Sequence, residues 1–513
     1  MLSLDEKVGQ MMMVGFDGAR PPAHILAWLA SGRIGGIYLF SRNIETPAQV
    51  KDLADECRAA AKHPILVGID QEGGLVARLR QGFSESPGAM ALGASGDAKL
   101  AEDVAFMLGT ELAALGINWN FAPVADIAHQ PDNPSVSTRS IGSEARLVSR
   151  MVAAQIKGLQ RAGVAATVKH FPGLGNTVID THDDQAAVTG PLDYLYRHDL
   201  APFRAAIRAD VACVMLTHVK YEALDAELPA TLSPRLVNGL LRTELGYQGA
   251  VCTDCMEMKA ITRSFGAGES AALAVLAGVD MPLFSHTRRQ QKAAYDAVLA
   301  AARSGRIPEA RIDQSVARIC QLKNRYRLDN QPALGVVASD AHQALALRAA
   351  RAGTVMVKRG ETLPLDGNSG RIVCIEFAAR RISDAVDAAK RGRFSTLLSE
   401  RLPHVDCHTI NPRLPRVVAR PRLQQLTSNA DTVILLTRNA HTQPAQLKLA
   451  RRVIDHAERS ILICARNPYD AGKLPGADTA ICSNGDSEPS LAAAVAAVCG
   501  DFVPTGQLTV DIA

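Results

Sequence analysis

Three observations predict a (β/α)₈ barrel followed by a smaller α/β/α sandwich. The chain has 513 residues, more than one ordinary domain holds, so two or three folding units are expected. Through the first 330, short apolar runs alternate with segments of helical periodicity. The runs are apolar almost without interruption, as strands of a parallel sheet covered by helices must be. Four of them end on residues able to do chemistry: Asp70, Lys169 with His170, His218 and Asp254. Barrel enzymes assemble their sites from the C-terminal ends of several strands at once. One such residue alone is as readily a helix cap or a turn former. An open doubly wound sheet is the competing closure, but neither GxGxxG nor GxxxxGK[ST] follows the first strands.

In chain order the strand candidates are Met11–Phe16, Gly35–Phe40, Ile65–Asp70, Asn118–Asp126, Val164–His170, Ala212–His218, Gly249–Asp254 and Val279–Phe284. Helical spacing marks Ala23–Ala30, Leu100–Leu115, Val148–Ala162 and Pro234–Leu245 between them. A last helix is expected over Glu309–Arg325, then a polar connection around Asn330–Ala341 and a helix His342–Gly353. The division is therefore barrel over 1–330, linker over 331–345 and sandwich over 346–513. In the sandwich, Arg371–Phe377, Thr432–Thr437, Ser460–Ala465 and Thr479–Cys482 read as strands of a mostly parallel sheet, with helices over Ala379–Lys390 and Pro444–Arg459. The ending GDFVPTGQLTVDIA reads as a turn into a final strand.

Composition excludes several classes. Hydrophobic residues at 47% and charged residues at 21% are those of a globular chain with a sizeable core. A net charge of +4 is small for this length and argues against a nucleic-acid partner. The Arg413, Arg416, Arg420 and Arg422 cluster lacks interleaved aromatics and reads as solvated surface. No apolar run reaches the roughly 18 residues a membrane span needs, and the opening MLSLDEKVGQMMMVGF does not read as a secretory signal. Of ten cysteines, Cys252 and Cys255 have CxxC spacing, but no second pair completes a metal site. Free thiols in a reducing cytoplasm are expected.

The densest polar stretch is Lys169–Asp184, KHFPGLGNTVIDTHDD. Pro172, Gly173 and Gly175 disfavour helix, so the chain should leave its strand as an irregular loop. Asp180 and His182 are two apart, and in an extended segment i and i+2 share a side, within reach of each other. A solvated loop is the alternative. Two histidines, a lysine and an aspartate gathered after a buried strand favour a site.

These residues carry a likeness. DQEGG (Asp70–Gly74), RSIG (Arg139–Gly142), KHFPG, Asp180-Thr181-His182 and THVKYEALDAELPATLSPRLV (Thr217–Val237), with TDCMEM (Thr253–Met258), together resemble the β-N-acetylhexosaminidase branch of glycoside hydrolase family 3. Leu363–Leu365 and PTGQLTV (Pro504–Val510) resemble that family's C-terminal sandwich. The resemblance implies release of terminal β-linked N-acetylglucosamine, a small sugar glycoside, often from peptidoglycan fragments, with no metal or organic cofactor. It makes Asp254 the nucleophile and His182, paired with Asp180, the acid/base. Asp70, Arg78, Arg139, Lys169 and His170 would hold the sugar hydroxyls. Glycoside cleavage with retention needs a proton donor at the leaving oxygen and a carboxylate on the opposite face, which fits these roles. A histidine donates and accepts near neutrality without deep burial.

The chain departs from the family pattern at Leu174, where a histidine is common, and at Leu75, Asn176 and Cys255. The nucleophile and the dyad residues are themselves unaffected; the leaving-group side is where the departures bear. One alternative is the same scaffold used as a phosphorylase, since a neutral histidine does not repel phosphate. Another is a non-catalytic sugar-binding or sensor protein, against which the intact nucleophile and dyad speak.

Overall fold

Eight short strands, buried almost throughout, close on themselves in sequence order. They are β1 (Met13–Gly15), β2 (Gly36–Leu39), β3 (Leu66–Ile69), β4 (Trp119–Asn120), β5 (Ala165–Phe171), β6 (Cys213–Leu216), β7 (Ala250–Cys255) and β8 (Met281–Phe284). Each pairs in parallel with its neighbour and β1 meets β8, so the barrel has no free edge. This computed structural model describes residues 2–366, 370–379, 392–413 and 416–513.

Side chains from inside and outside the strands explain the closure. Trp119 and Phe121 are fully buried, and the indole Nε1 donates to Thr167 Oγ1 at 2.6 Å. Outside, helix Ala145–Arg161 turns Val148, Met151, Val152, Ile156 and Leu159 inward, the 3.6-residue stripe of a helix covering a sheet. Gly15 lies so close to Ser285 O that a Cβ there would collide with it, which lets β1 and the end of β8 meet.

The second sheet has six strands: β9 (Val355–Lys358), β10 (Ile372–Phe377), β11 (Asp406–Ile410), β12 (Thr432–Thr437), β13 (Ser460–Cys464) and β14 (Thr479–Cys482). Their order is β9-β14-β13-β12-β10-β11, and only β9 runs antiparallel to its neighbour. Alternate residues feed two cores, Val373, Ile375, Val433 and Leu435 on one face, Ile372, Cys374, Ile434 and Leu436 on the other. This is the smaller α/β unit. Helix Asp340–Ala352 packs against helices Ala89–Ser95 and Ala98–Ala114 on the barrel side and against helix Glu488–Val498 of the second unit.

Four expectations need correction or a boundary. The fourth barrel strand was expected over Asn118–Asp126, but ladder pairing covers only Trp119–Asn120, with an isolated bridge from Val124 to Lys169. Pro123 has no N–H to give, which interrupts the ladder. Strands β9 and β11 were not foreseen. Both lie at sheet edges, and DCHTI is too polar to read as a buried strand. The expected final strand is absent: residues 501–513 run irregularly, and single carbonyls and amides bond to scattered points. Examples are Gly506 N to Thr354 O, Gln507 N to Ala94 O, and Thr509 O accepting from Ser143 N. The expected helix Ala379–Lys390 falls almost wholly outside the described residues. Among the described residues, no helix is long and apolar enough to cross a membrane.

Candidate active site

The strand ends open into one cavity of about 590 Å³. Its lining includes Asp70, Glu72, Arg78, Arg139, Lys169, His170, His182 and Asp254. Asp70 leaves β3, Lys169 and His170 end β5, and Asp254 sits in β7, so the loops at one rim of the barrel meet there. Of the residues singled out from sequence at strand ends or as site candidates, Asp180 and His218 do not line the cavity: Asp180 stands behind His182, and His218 is buried with its ring nitrogens on Thr231 Oγ1 and Cys255 O.

The floor is a buried charge network. Lys169 Nζ lies 2.7 Å from Asp70 Oδ1 and 2.6 Å from Glu72 Oε1. Arg139 meets Glu72 through both Nε (2.9 Å) and Nη2 (2.8 Å), a planar fork on a carboxylate. Arg78 Nη2 reaches Asp70 at 3.2 Å, and Tyr38 donates its hydroxyl to the same carboxylate. Burial alone would raise the pKa of Asp70, but Lys169 and Arg78 outweigh it and hold Asp70 below the ordinary carboxylate range. Glu72 is likewise held down at about 2 against burial, by Arg139 and Lys169. Burial would also discharge Lys169; Asp70 and Glu72 reverse that and raise its pKa. The floor is thus a fixed array of donors and acceptors.

His170 Nδ1 lies 2.6 Å from Asp126 Oδ2, whose other oxygen accepts from Leu174 N at 2.7 Å. One buried carboxylate thereby orients the imidazole and anchors the start of the loop after β5. Gly175 lets that loop lie against Ile127 O, where a Cβ would collide. Asn133 Nδ2 then donates to Leu174 O at 2.9 Å.

Asp180 and His182 meet by a different geometry from the extended pair expected. The chain turns there: Asp180 Oδ1 accepts from His182 N at 3.0 Å and lies 2.8 Å from His182 Nδ1, while Asp183 N donates to Asp180 O. The carboxylate that shapes the turn also fixes the ring, as Asx turns allow. It leaves Nε2 for a ligand in the cavity. Burial would lower the pKa of His182, but the Asp180 bond and charge, with Asp254 beyond, raise it.

Asp254 is the carboxylate of β7. Burial pushes its pKa up, yet His170, His218 and His182 together with the Cys255 N–H (2.7 Å) bring it below the ordinary value. The cavity therefore sets a carboxylate of lowered pKa and an imidazole of raised pKa around the same space, which is the equipment for acid-assisted displacement at a carbon centre.

Glu72, Asp126 and Tyr38 were not singled out from sequence. Glu72 sits inside DQEGG and Asp126 closes a strand candidate, so both had a positional signal. Tyr38, within the apolar run of β2, had none.

Comparison with known proteins follows the same lines. Residues 3–322 match the family described as Glycosyl hydrolase family 3 N terminal domain. The chain is 32% identical to beta-hexosaminidase A of Pseudoalteromonas piscicida over 415 residues, 72% of this chain and 69% of that protein. It is 38% identical over 282 residues to a beta-hexosaminidase of Stenotrophomonas maltophilia (strain R551-3), 54% of this chain and 83% of that one. Among solved structures, a glycoside hydrolase family 3 beta-N-acetylglucosaminidase from Paenibacillus sp. str. FPU-7 superposes with a TM-score of 0.95 at 38% identity, covering 100% of this chain and 99% of the other.

Proposed function

The chain belongs to glycosyl hydrolase family 3, and we propose that it is a retaining exo-β-N-acetylglucosaminidase, with peptidoglycan fragments as a source of substrate. One observation carries this reading: Asp254, held ionised, and His182, held by Asp180, line the same cavity over the buried charged floor. The names of the relatives above support the sugar.

In this reading the terminal N-acetylglucosamine lies on Asp70, Arg78, Arg139, Lys169 and His170, whose fixed geometry spares reorganisation on binding. Asp254 attacks the anomeric carbon while His182, protonated on both nitrogens, gives its Nε2 proton to the leaving oxygen. Asp180 stabilises that imidazolium and keeps the ring oriented, as a carboxylate does for the histidine of a serine-protease triad. In the second step His182 takes a proton from water, which displaces Asp254 and releases the sugar. No step calls for a metal or an organic cofactor.

Product analysis on a β-N-acetylglucosaminide with and without inorganic phosphate tests the reading. Free N-acetylglucosamine as product in both conditions supports hydrolysis; a sugar phosphate formed at its expense would replace it with phosphorolysis.

Two further outcomes are expected. NMR of early turnover should show the β-anomer appearing first, because two displacements restore the configuration; α-product first would remove Asp254 from the nucleophile role. The pH profile of kcat/KM should be bell-shaped, falling in acid as Asp254 gains a proton and in alkali as His182 loses one. Since the pKa of Asp254 is lowered and that of His182 raised, the limbs should lie outside the ordinary values of about 4 and about 6.5. Asp180→Asn removes the anion that raises His182, so the alkaline limb should move to lower pH while the acid limb stays. An unmoved alkaline limb would show that another group supplies the proton.

A further inference from the structure

We infer that the second α/β unit positions the sugar-holding loop of the barrel, through Asn467 and His441 as positioning residues. The inference rests on the sugar-site reading above. The loop concerned, residues 131–143, leaves β4 and brings Ser135 and Arg139 to the cavity. Arg139 is tied at both ends: its Nε and Nη2 grip Glu72, and its Nη1 donates to Ser135 O at 2.7 Å. Ser135 is buried, and among the described residues its Oγ has no hydrogen-bond partner. A buried hydroxyl on a cavity wall is costly unless something bonds to it, so a ligand hydroxyl or amide is its natural partner. A shift of this loop moves both groups together.

Bonds from the barrel hold the loop through Asn133, Arg139 and Ser140, and a second set comes from the other unit. Ser137 turns the chain at φ 46°, a left-handed conformation that a residue with a Cβ keeps only when its surroundings hold it. Asn467 Nδ2, just past the end of β13, donates to Ser137 Oγ at 3.0 Å. His441, past the end of β12, brings Nε2 to 3.2 Å from Pro131 O. Its other nitrogen lies 2.8 Å from Asp470 Oδ1, an oxygen that also accepts the His441 backbone N–H. Asn467 N donates to Asn439 Oδ1 at 3.2 Å, which joins the two strand ends into one surface. Among the described residues, none from the second unit lines the cavity itself. Its influence on the reaction therefore passes through the position of Ser135 and Arg139.

Groups that hold the sugar hydroxyls act alike on the ground state and the transition state, so displacing them should raise KM more than it lowers kcat. The full chain is assayed on an aryl β-N-acetylglucosaminide. Asn467→Ala is expected to raise KM roughly three- to tenfold, the reach of one net hydrogen bond, with kcat within about twofold. Ser137→Ala cuts the same bond from the barrel side and should do the same, which keeps the test alive if the Asn467 variant does not fold. The double variant should be no worse than either single one, as two ends of one interaction must be. An unchanged KM in a folded single variant, a fall in kcat alone, or fully additive effects would overturn the inference. A wild-type chain with no activity on this substrate would overturn the functional reading, and the inference with it.

Discussion

Replacing Asp254 by Ala or Asn is expected to lower kcat on N-acetylglucosaminides by roughly four orders of magnitude or more, the scale on which removing a covalent nucleophile acts. Asn is the sharper test, since it keeps the shape and loses the charge. The fold should survive either change. Asp254 makes its one described hydrogen bond to the N–H of the next residue, Cys255, whereas the buried pairs of the floor, Asp70 with Lys169 and Glu72 with Arg139, do not pass through it. A thermal midpoint within a few degrees of wild type would confirm that the loss is chemical. Substantial turnover by either variant would dismiss Asp254 as nucleophile. A glycosyl adduct trapped on wild type by a slow substrate, and missing from the Asn variant, would place the bond on this carboxylate.

The second large effect is expected from His182→Ala, and it should depend on the leaving group. General acid–base assistance contributes roughly 10²- to 10⁴-fold, but only where the departing oxygen needs a proton. Sugar leaving groups should suffer that full loss. Activated aryl leaving groups depart unaided, so for them the second step should become limiting, because water has lost its base. Azide needs no deprotonation and should restore part of the turnover with the aryl substrates, giving a β-glycosyl azide. Equal losses for good and poor leaving groups, without azide rescue, would recast the loop as a binding element and send the search for the proton donor elsewhere. The ring's placement by Asp180, at 2.8 Å from Nδ1, is what makes a specific effect reasonable for a side chain that is still partly exposed.

The barrel could be read from sequence because its strands are buried on both faces, so each is a contiguous apolar run whose position needs no knowledge of its partners. The same holds for Lys169, His170 and Asp254, whose place at a strand end is a local fact. What could not be read depends on contacts between distant residues. Glu72 becomes part of the floor through Arg139, 67 residues away, and through Lys169, and Asp126 joins the site through His170, 44 residues away. The turn at Asp180 was missed for a related reason. Spacing brings Asp180 and His182 together in an extended chain or in an Asx turn alike, and the turn is held by bonds that spacing does not show, Asp183 N to Asp180 O and Ala260 N to Thr181 O. The edge strand DCHTI escaped because one-sided pairing asks little of composition.

Ser143 gives both its N–H and its hydroxyl to Thr509 O, a carbonyl 366 residues later in the chain. A ribosome adding about 5–20 residues per second needs roughly 20–70 s to cover that interval. Through the later part of that time every barrel strand, the last ending at Phe284, has been made, while one end of the loop that carries Arg139 still lacks its last partner. The loop that brings Arg139 to the charged floor thus gains this partner only after the whole barrel has been made.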